Sequence, residues 1–257
     1  MNYKNILFAI EGGVARLTLN RPEKLNSFTA EMHEEVRDAL TRVKDEAGVR
    51  VLLLTAAGRG FCAGQDLGDG GPADLGVTVE KYYAPLVLAL RALELPVVCA
   101  VNGVAAGAGA NLAFACDLVV AKKSASFIQS FARIGLVPDT GGTYFLPRLA
   151  GTARAMGLAM LGEKLTAEQA AAWGLIWKCV DDEVFDGEVE KLVGQLSVAP
   201  TLGLARAKRA IYASANTTLE EQLNAERDAM RELGYSADYA EGVQAFLGKR
   251  APVFHGR

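Results

Sequence analysis

The sequence predicts an α/β fold that ends in an all-helical segment, and three observations carry that prediction. Short apolar runs rich in β-branched residues alternate with amphipathic stretches of helical period as far as about Val180. One of these runs, Val97–Val101, is apolar throughout; it meets the turn signal Asn102-Gly103 and passes through Gly107 and Gly109 into an Ala/Leu/Phe helix starting near Ala108. Beyond Val184 only helical periodicity remains.

In chain order, residues 6–11 and 14–19 are strand-like runs about Gly12-Gly13, the pattern of a hairpin. The polar loop Arg21-Pro22-Glu23-Lys24-Leu25-Asn26-Ser27 follows. Met32, Val36, Leu40 and Val43 then share one face of a helix over 29–47, with His33 on its solvated side. A buried strand is expected at 49–55. The loop 58–67, extended by Asp69-Gly70-Gly71-Pro72 to about Gly76, is long for a connection between regular elements, a feature that often marks function. A helix over 79–94 leads through Pro96 into the strand 97–101, and further strands follow at 117–121 and 126–129. At 131–142 the periodicity lapses, and Pro138-Asp139-Thr140-Gly141-Gly142 is a turn that exposes Asp139 at a helix start. Helices are expected at 142–149 and 153–161. The capping box Thr166-Ala167-Glu168-Gln169 opens another as far as Trp173, and 176–180 returns to strand. Helices at 186–197, 202–214, 219–233 and 237–247 complete the chain. Two regions result: a mixed α/β body over 1–199 and a helical region over 200–257, whose apolar residues call for burial, with another subunit as one way to provide it.

Composition excludes several classes. Of 257 residues 51% are hydrophobic, which is enough for a sizeable core, and the net charge of −3 carries no run of five like charges to suggest nucleic acid. No apolar stretch has the roughly 18 residues of a membrane span, and Met1-Asn2-Tyr3-Lys4 leads into a strand pattern and not a signal peptide. The expectation is a soluble, cytoplasmic protein with neither membrane nor nucleic acid as partner. Cys62, Cys99, Cys116 and Cys179 are far apart with no CxxC pair, so they are expected as buried free thiols and no metal site is expected. There is no GxSxG elbow, no HExxH and no GxxxxGK[ST] phosphate loop; with only His33 and His255 present, a His-dependent triad is disfavoured. Gly58-Arg59-Gly60-Phe61-Cys62-Ala63 matches a relaxed dinucleotide fingerprint, but no helix pattern starts inside it as that chemistry requires.

What remains is main-chain chemistry and a carboxylate. The small residues at 103–109 would let a ligand approach the backbone, and the helix start would offer unpaired N–H groups to a developing oxyanion. The same residues also fit a plain tight strand-to-helix corner. Asp139 could shuttle a proton or, equally, cap the helix that follows it.

Gly60-Phe61-Cys62-Ala63-Gly64-Gln65-Asp66-Leu67, Asn102-Gly103-Val104-Ala105-Ala106-Gly107-Ala108-Gly109, Cys116-Asp117 and Gly135-Leu136-Val137-Pro138-Asp139-Thr140-Gly141-Gly142-Thr143 together resemble the enoyl-CoA hydratase/isomerase (crotonase) superfamily, nearly end to end. The resemblance implies a crotonase-like spiral of ββα units with a C-terminal α-helical trimerisation region, assembled as a homo-trimer or a dimer of trimers. It implies a thioester oxygen held by the N–H groups of Gln65 and Ala108, with Asp139 as acid/base. Coenzyme A would enter as part of the substrate, with no other cofactor. The binding positions it implies are Lys24, Leu25, Ala63, Gly64, Asp66, Leu67, Val104, Gly107 and Asn111, with Lys249 reaching a neighbouring subunit's ligand and Phe131 and Tyr83 lining the acyl pocket. Both lysines are equally compatible with ordinary surface charge. Where hydratases of the family carry two glutamates, this chain has Asn111 and Phe131, so hydration is disfavoured. Ala153-Arg154-Ala155-Met156-Gly157-Leu158-Ala159 adds likeness to the phenylacetate-pathway branch. The expected reaction is therefore isomerisation of an acyl-CoA through an enolate, ring-1,2-epoxyphenylacetyl-CoA to oxepin-CoA. The alternatives are a straight-chain 3,2-enoyl-CoA isomerase, an enoyl-CoA hydratase and a non-catalytic acyl-CoA-binding scaffold.

Overall fold

The structure, a computed structural model, describes residues 3–68 and 74–256; the loop reading of Asp69-Gly70-Gly71-Pro72 lies outside the described residues. The strands are β1 (Ile6–Glu11), β2 (Val14–Leu19), β3 (Val51–Ala56), β4 (Gly60–Cys62), β5 (Val97–Val101), β6 (Val104–Ala106), β7 (Leu118–Lys122), β8 (Ser126–Ile128), β9 (Lys164–Thr166) and β10 (Lys178–Val180). They form two sheets, ordered β1-β2-β3-β5-β7-β10 and β4-β6-β8-β9. The helices are α1 (Ala30–Asp45), α2 (Leu75–Thr78), α3 (Ala84–Ala92), α4 (Ala108–Phe114), α5 (Gly142–Ala150), α6 (Thr152–Leu161), α7 (Ala167–Ala172), α8 (Phe185–Ser197), α9 (Thr201–Ala213), α10 (Leu219–Leu233) and α11 (Ala237–Leu247). No helix among the described residues is long and apolar enough to cross a membrane.

Gly12 and Gly13 both have positive φ (56° and 80°), the backbone a two-residue turn needs to match strand twist, and they join β1 to β2 in antiparallel register. From β2 to β10 the large sheet is parallel. Its middle strand β5 is buried on both faces, as an apolar run in a parallel sheet should be. Alternation along β5 divides it between two cores. Val97, Cys99 and Val101 enter the larger core, with Met32 and Val36 of α1 and Leu112 of α4, while Val98 and Ala100 meet Phe185, Val189 and Val193 of α8. A valine buried this fully contributes about 1.5–3 kcal/mol.

The second sheet is the part the sequence pattern conceals. β4, β6 and β9 are three residues each and fall in stretches expected as loop, turn and cap, too short for alternation to register. The helix expected from 79 instead begins at Leu75, where the Asp74 side chain accepts from Gly76 N at 2.9 Å.

Between α2 and α3, residues Val79–Tyr83 form a single π turn, and Ala84 N–H reaches back five residues to Val79 O. Pro85 explains it: proline has no N–H to return to the carbonyl of Lys81. That carbonyl accepts instead from Arg37 Nη2 of α1 at 2.9 Å. The wide turn lays Tyr82 and Tyr83 against α1, and this corrects the expectation for His33. His33 is not solvated; it is 3% exposed, with its ring between Phe28, Tyr82 and Tyr83 at centroid distances of 4.6, 5.1 and 4.6 Å.

The helical end is tied to the body through Asp117. Its carboxylate accepts from Val97 N at 2.7 Å and from the Tyr212 hydroxyl, and it pairs with Lys208 of α9 at 2.8 Å. Arg50 adds a second tie, donating to Thr201 Oγ1 at 2.6 Å and to the carbonyls of Ala199 and Phe254.

Candidate active site

Three loops meet at the start of α4. In the first, Leu25 and Asn26 take left-handed backbone (φ 48° and 54°), which turns the Asn26 side chain inward. There, fully buried, it donates to the carbonyls of Ala57 and Gly60 at 2.9 Å and accepts from Arg21 N at 2.8 Å. This staple holds the segment carrying Lys24 and Leu25 against the segment carrying Ala63, Gly64 and Asp66. Arg21 pairs with Asp66 at 3.0 Å and holds its carboxyl below the usual range. Asn26 was missed as a site-building residue: a loop asparagine carries no signal of what it will bind.

In the second loop the amides are held one after another. Ala63 N donates to Leu25 O at 2.9 Å, Gly64 N lies 3.4 Å from Cys62 Sγ, and Asp66 N donates to Phe28 O at 2.9 Å, while Phe28 N donates to Gly64 O at 2.8 Å. Gln65 N–H, in the middle, has no protein acceptor among the described residues. Its side chain is fixed separately, Oε1 accepting from the Tyr83 hydroxyl at 2.9 Å.

Glycines let this loop press on α4. A Cβ at Gly64 (φ 90°) would sit 3.3 Å from Ala108 N and 3.1 Å from Ala106 O, and one at Gly109 would sit 2.3 Å from Cys62 O. Ala108 is the first residue of α4, so its N–H has no carbonyl four residues back to donate to. Among the described residues it too has no protein acceptor. Two donors, on backbones in contact, are thus left for an exogenous oxygen.

The third loop carries Asp139. Its half-buried carboxylate accepts from Thr140 Oγ1 at 2.9 Å, and burial outweighs that bond, pushing its pKa up. Asp139 is tied to the helix that Ala108 opens, Asn111 Nδ2 of α4 donating to its main-chain carbonyl at 2.8 Å, and burial raises the Tyr83 phenol that pins Gln65. Phe131 is buried beside Gly107, where a Cβ would meet its ring at 3.7 Å. Val104, half-buried in β6, faces Gly60.

Asn111 is fully buried, with its amide engaged by Gln129 and by the carbonyl of Asp139. Leu67 is largely exposed at the rim. Lys24 is exposed and adds to the field that lowers the Asp66 pKa. Lys249 follows α11, and among the described residues no backbone hydrogen bond joins it to this cluster.

The spiral of two sheets with an amide pair at a helix start defines a class. The chain belongs to the enoyl-CoA hydratase/isomerase family, whose model matches residues 9–257. It is 55% identical over 258 residues to the 1,2-epoxyphenylacetyl-CoA isomerase of Escherichia coli K12, covering 98% of each chain. It is 48% identical, over the full length of both, to a Rhodobacter capsulatus protein named "Probable enoyl-CoA hydratase". Among solved structures, an enoyl-CoA hydratase of Bacillus anthracis superposes with a TM-score of 0.94 at 31% identity, covering 99% of this chain and all of that one.

Proposed function

We propose that this chain isomerises an acyl-CoA thioester, with ring-1,2-epoxyphenylacetyl-CoA as substrate and oxepin-CoA as product. The observation that carries the reading is the unengaged Gln65 N–H, set between amides that are all held and against the start of α4. A thioester oxygen accepting from Gln65 N–H and Ala108 N–H gains charge as the adjacent C–H proton leaves, and each such donor supplies about 2.7–4 kcal/mol at that moment. Asp139, whose burial raises its proton affinity, takes that proton. On a 3-enoyl thioester the carboxylate removes a proton from C2 and delivers it to C4 while the double bond moves to C2–C3, so the atoms balance with no co-reactant.

The choice of acyl group rests on the 55% identity to an enzyme of that name. Asn111 and Phe131 weigh against hydration, since neither can activate water. Residues 1–199 supply the site, and 200–257 an oligomerisation region. α10 buries none of its residues and exposes Leu219, Leu223 and Met230, while α11 exposes Phe246 and Leu247, as a homo-trimer or dimer of trimers would require. Coenzyme A enters only as the carrier of the substrate, along the 21–25 and 63–67 segments with Lys24 at its phosphate end and Lys249 from a neighbouring subunit; the setting is the cytoplasm. The test compares turnover of the aryl-epoxide thioester with that of a cis-3-enoyl thioester. Faster turnover of the straight chain assigns the alternative isomerase. Coenzyme A binding without solvent deuterium exchange next to the thioester would leave a non-catalytic scaffold.

A further inference from the structure

We infer that Asn111 is a positioning residue that locks the Asp139 turn to the helix carrying the Ala108 amide, the middle link of a chain Gln129–Asn111–Asp139. The inference rests on the reading of Asp139 as the proton-transfer group and adds to it a residue that acts through that group.

The geometry fixes both the links and their direction. Asn111 Nδ2 donates to the main-chain carbonyl of Asp139 at 2.8 Å, and Gln129 Nε2 donates to Asn111 Oδ1 at 2.8 Å. A peptide carbonyl can only accept, so Asn111 must turn its NH₂ toward residue 139. Its oxygen then faces Gln129, which must turn its own NH₂ inward. The Asp139 carbonyl therefore sets both amides, and the cost appears at the far end: Gln129, 2% exposed, has its Oε1 buried without a partner. A buried polar atom left unsatisfied marks an arrangement held by something other than local hydrogen bonding.

The turn is built around this side chain. A Cβ at Gly142 would lie 2.3 Å from Asn111 Nδ2, so the 139–142 turn closes over the carboxamide only because residue 142 has no side chain. Gly142 N donates to the same Asp139 carbonyl at 2.8 Å, giving that oxygen two donors. Between them Thr140 and Gly141 are both left-handed (φ 52° and 79°), which is unfavourable for threonine and persists only where surroundings impose it. On α4, residues 108 and 111 are three apart and share a face. One rigid side chain thus sets the spacing between the oxyanion donor and the acid. It also accounts for asparagine here: a carboxylate would set an acceptor against a carbonyl and a second negative charge beside Asp139.

The experiment measures kcat, KM and the pH dependence of kcat/KM on cis-3-hexenoyl-CoA for Asn111→Leu, Asn111→Asp, Gly142→Ala and Asp139→Asn, each per folded enzyme. Asn111→Leu and Gly142→Ala should lower kcat by about 10²-fold, the effect of roughly an ångström of misplacement, with KM changed less than threefold. Asn111→Asp should also move the acid limb upward by about one pH unit, because a like charge opposes ionisation of Asp139. Full kcat in Asn111→Leu, or an unmoved acid limb in active Asn111→Asp, overturns the inference. A loss of folded protein with kcat and limb unchanged in what remains overturns it as well, since Asn111 would then be structural only. If Asp139→Asn is fully active, the underlying assignment of Asp139 fails; if it is inactive while Asn111→Leu is normal, only the positioning role fails.

Discussion

Ala108→Pro tests the amide pair directly, because it deletes one N–H without breaking a hydrogen bond of the helix. Ala108 is the first residue of α4, and its N–H bonds to no carbonyl of the helix. Proline at that position is well tolerated, whereas in a helix interior it costs about 3 kcal/mol. The preceding residue, usually restricted by a following proline, is Gly107 at φ 55°, ψ −126°, a backbone open to glycine. The fold should therefore survive, with the melting temperature lowered by no more than a few degrees. The reaction should not. Losing one preorganised donor removes about 2.7–4 kcal/mol of stabilisation from the enolate, a fall of about 10²–10³ in kcat. The ring's Cδ also fills the space that the hydrogen vacated and displaces the thioester oxygen from Gln65 N–H. Steady-state turnover of a cis-3-enoyl-CoA, with coenzyme A affinity and thermal unfolding measured in parallel, reads the effect. A folded Ala108→Pro enzyme within threefold of the parent kcat would mean that the oxyanion is held elsewhere.

Other perturbations separate catalysis from stability. Asp139→Asn should lower kcat by about 10²–10⁴. Because burial raises the folded pKa of Asp139, its ionisation disfavours the native state once pH rises above the unfolded value of 3.8. The variant should therefore melt higher than the parent at pH 7 and lose that advantage below about pH 4. Tyr83→Phe removes the 2.9 Å bond to Gln65 Oε1 and should cost about 1 kcal/mol of stability, seen in denaturant unfolding, with a severalfold fall in kcat as the loop loosens. His33 is held neutral, burial foremost and then the charge of Arg37 pushing its pKa down from 6.5 to about 3. Between those two values the unfolded chain binds a proton that the native chain does not, so stability falls as pH drops from about 6.5 to 3. His33→Leu should flatten the dependence of melting temperature on pH in that window; an unchanged slope would show that His33 is not the group responsible.

What the sequence made legible was what is local. The Gly12-Gly13 hairpin, the start of α4 at Ala108 and the Thr166 capping box each depend on chemistry within four or five residues, and each is where the pattern put it. His33 was misplaced because the apolar stripe of α1 predicts which face is buried, not that Tyr82 and Tyr83 arrive from a distant π turn to widen it. β4, β6 and β9 escaped because each is defined by its partners. Gly60–Cys62 is a strand only because Val104–Ala106 lies beside it. The motif positions Gln65, Ala108 and Asp139 were legible one at a time, but the bonds that hold Ala63 and Asp66, those from Asn26 to Ala57 and Gly60, and the bond from Asn111 to Asp139 join residues 28 to 38 apart, where spacing carries no signal.

The π turn at Val79–Tyr83 has a consequence for how this part of the chain can change over evolutionary time. It stores one surplus residue inside a helix, tolerated because Pro85 leaves a carbonyl that Arg37 can take. Deleting that residue would restore regular winding with the helix on either side kept in phase, because the wide turn already absorbs the extra ~100°. Only the residues of the turn itself would be re-aimed, Tyr82 against His33 and Tyr83 against Phe28 and Gln65, while the buried Leu86 and Leu90 of α3 stayed in place. A one-residue indel, with no substitution at all, is thus enough to change how the two tyrosines meet α1 and the Gln65 loop.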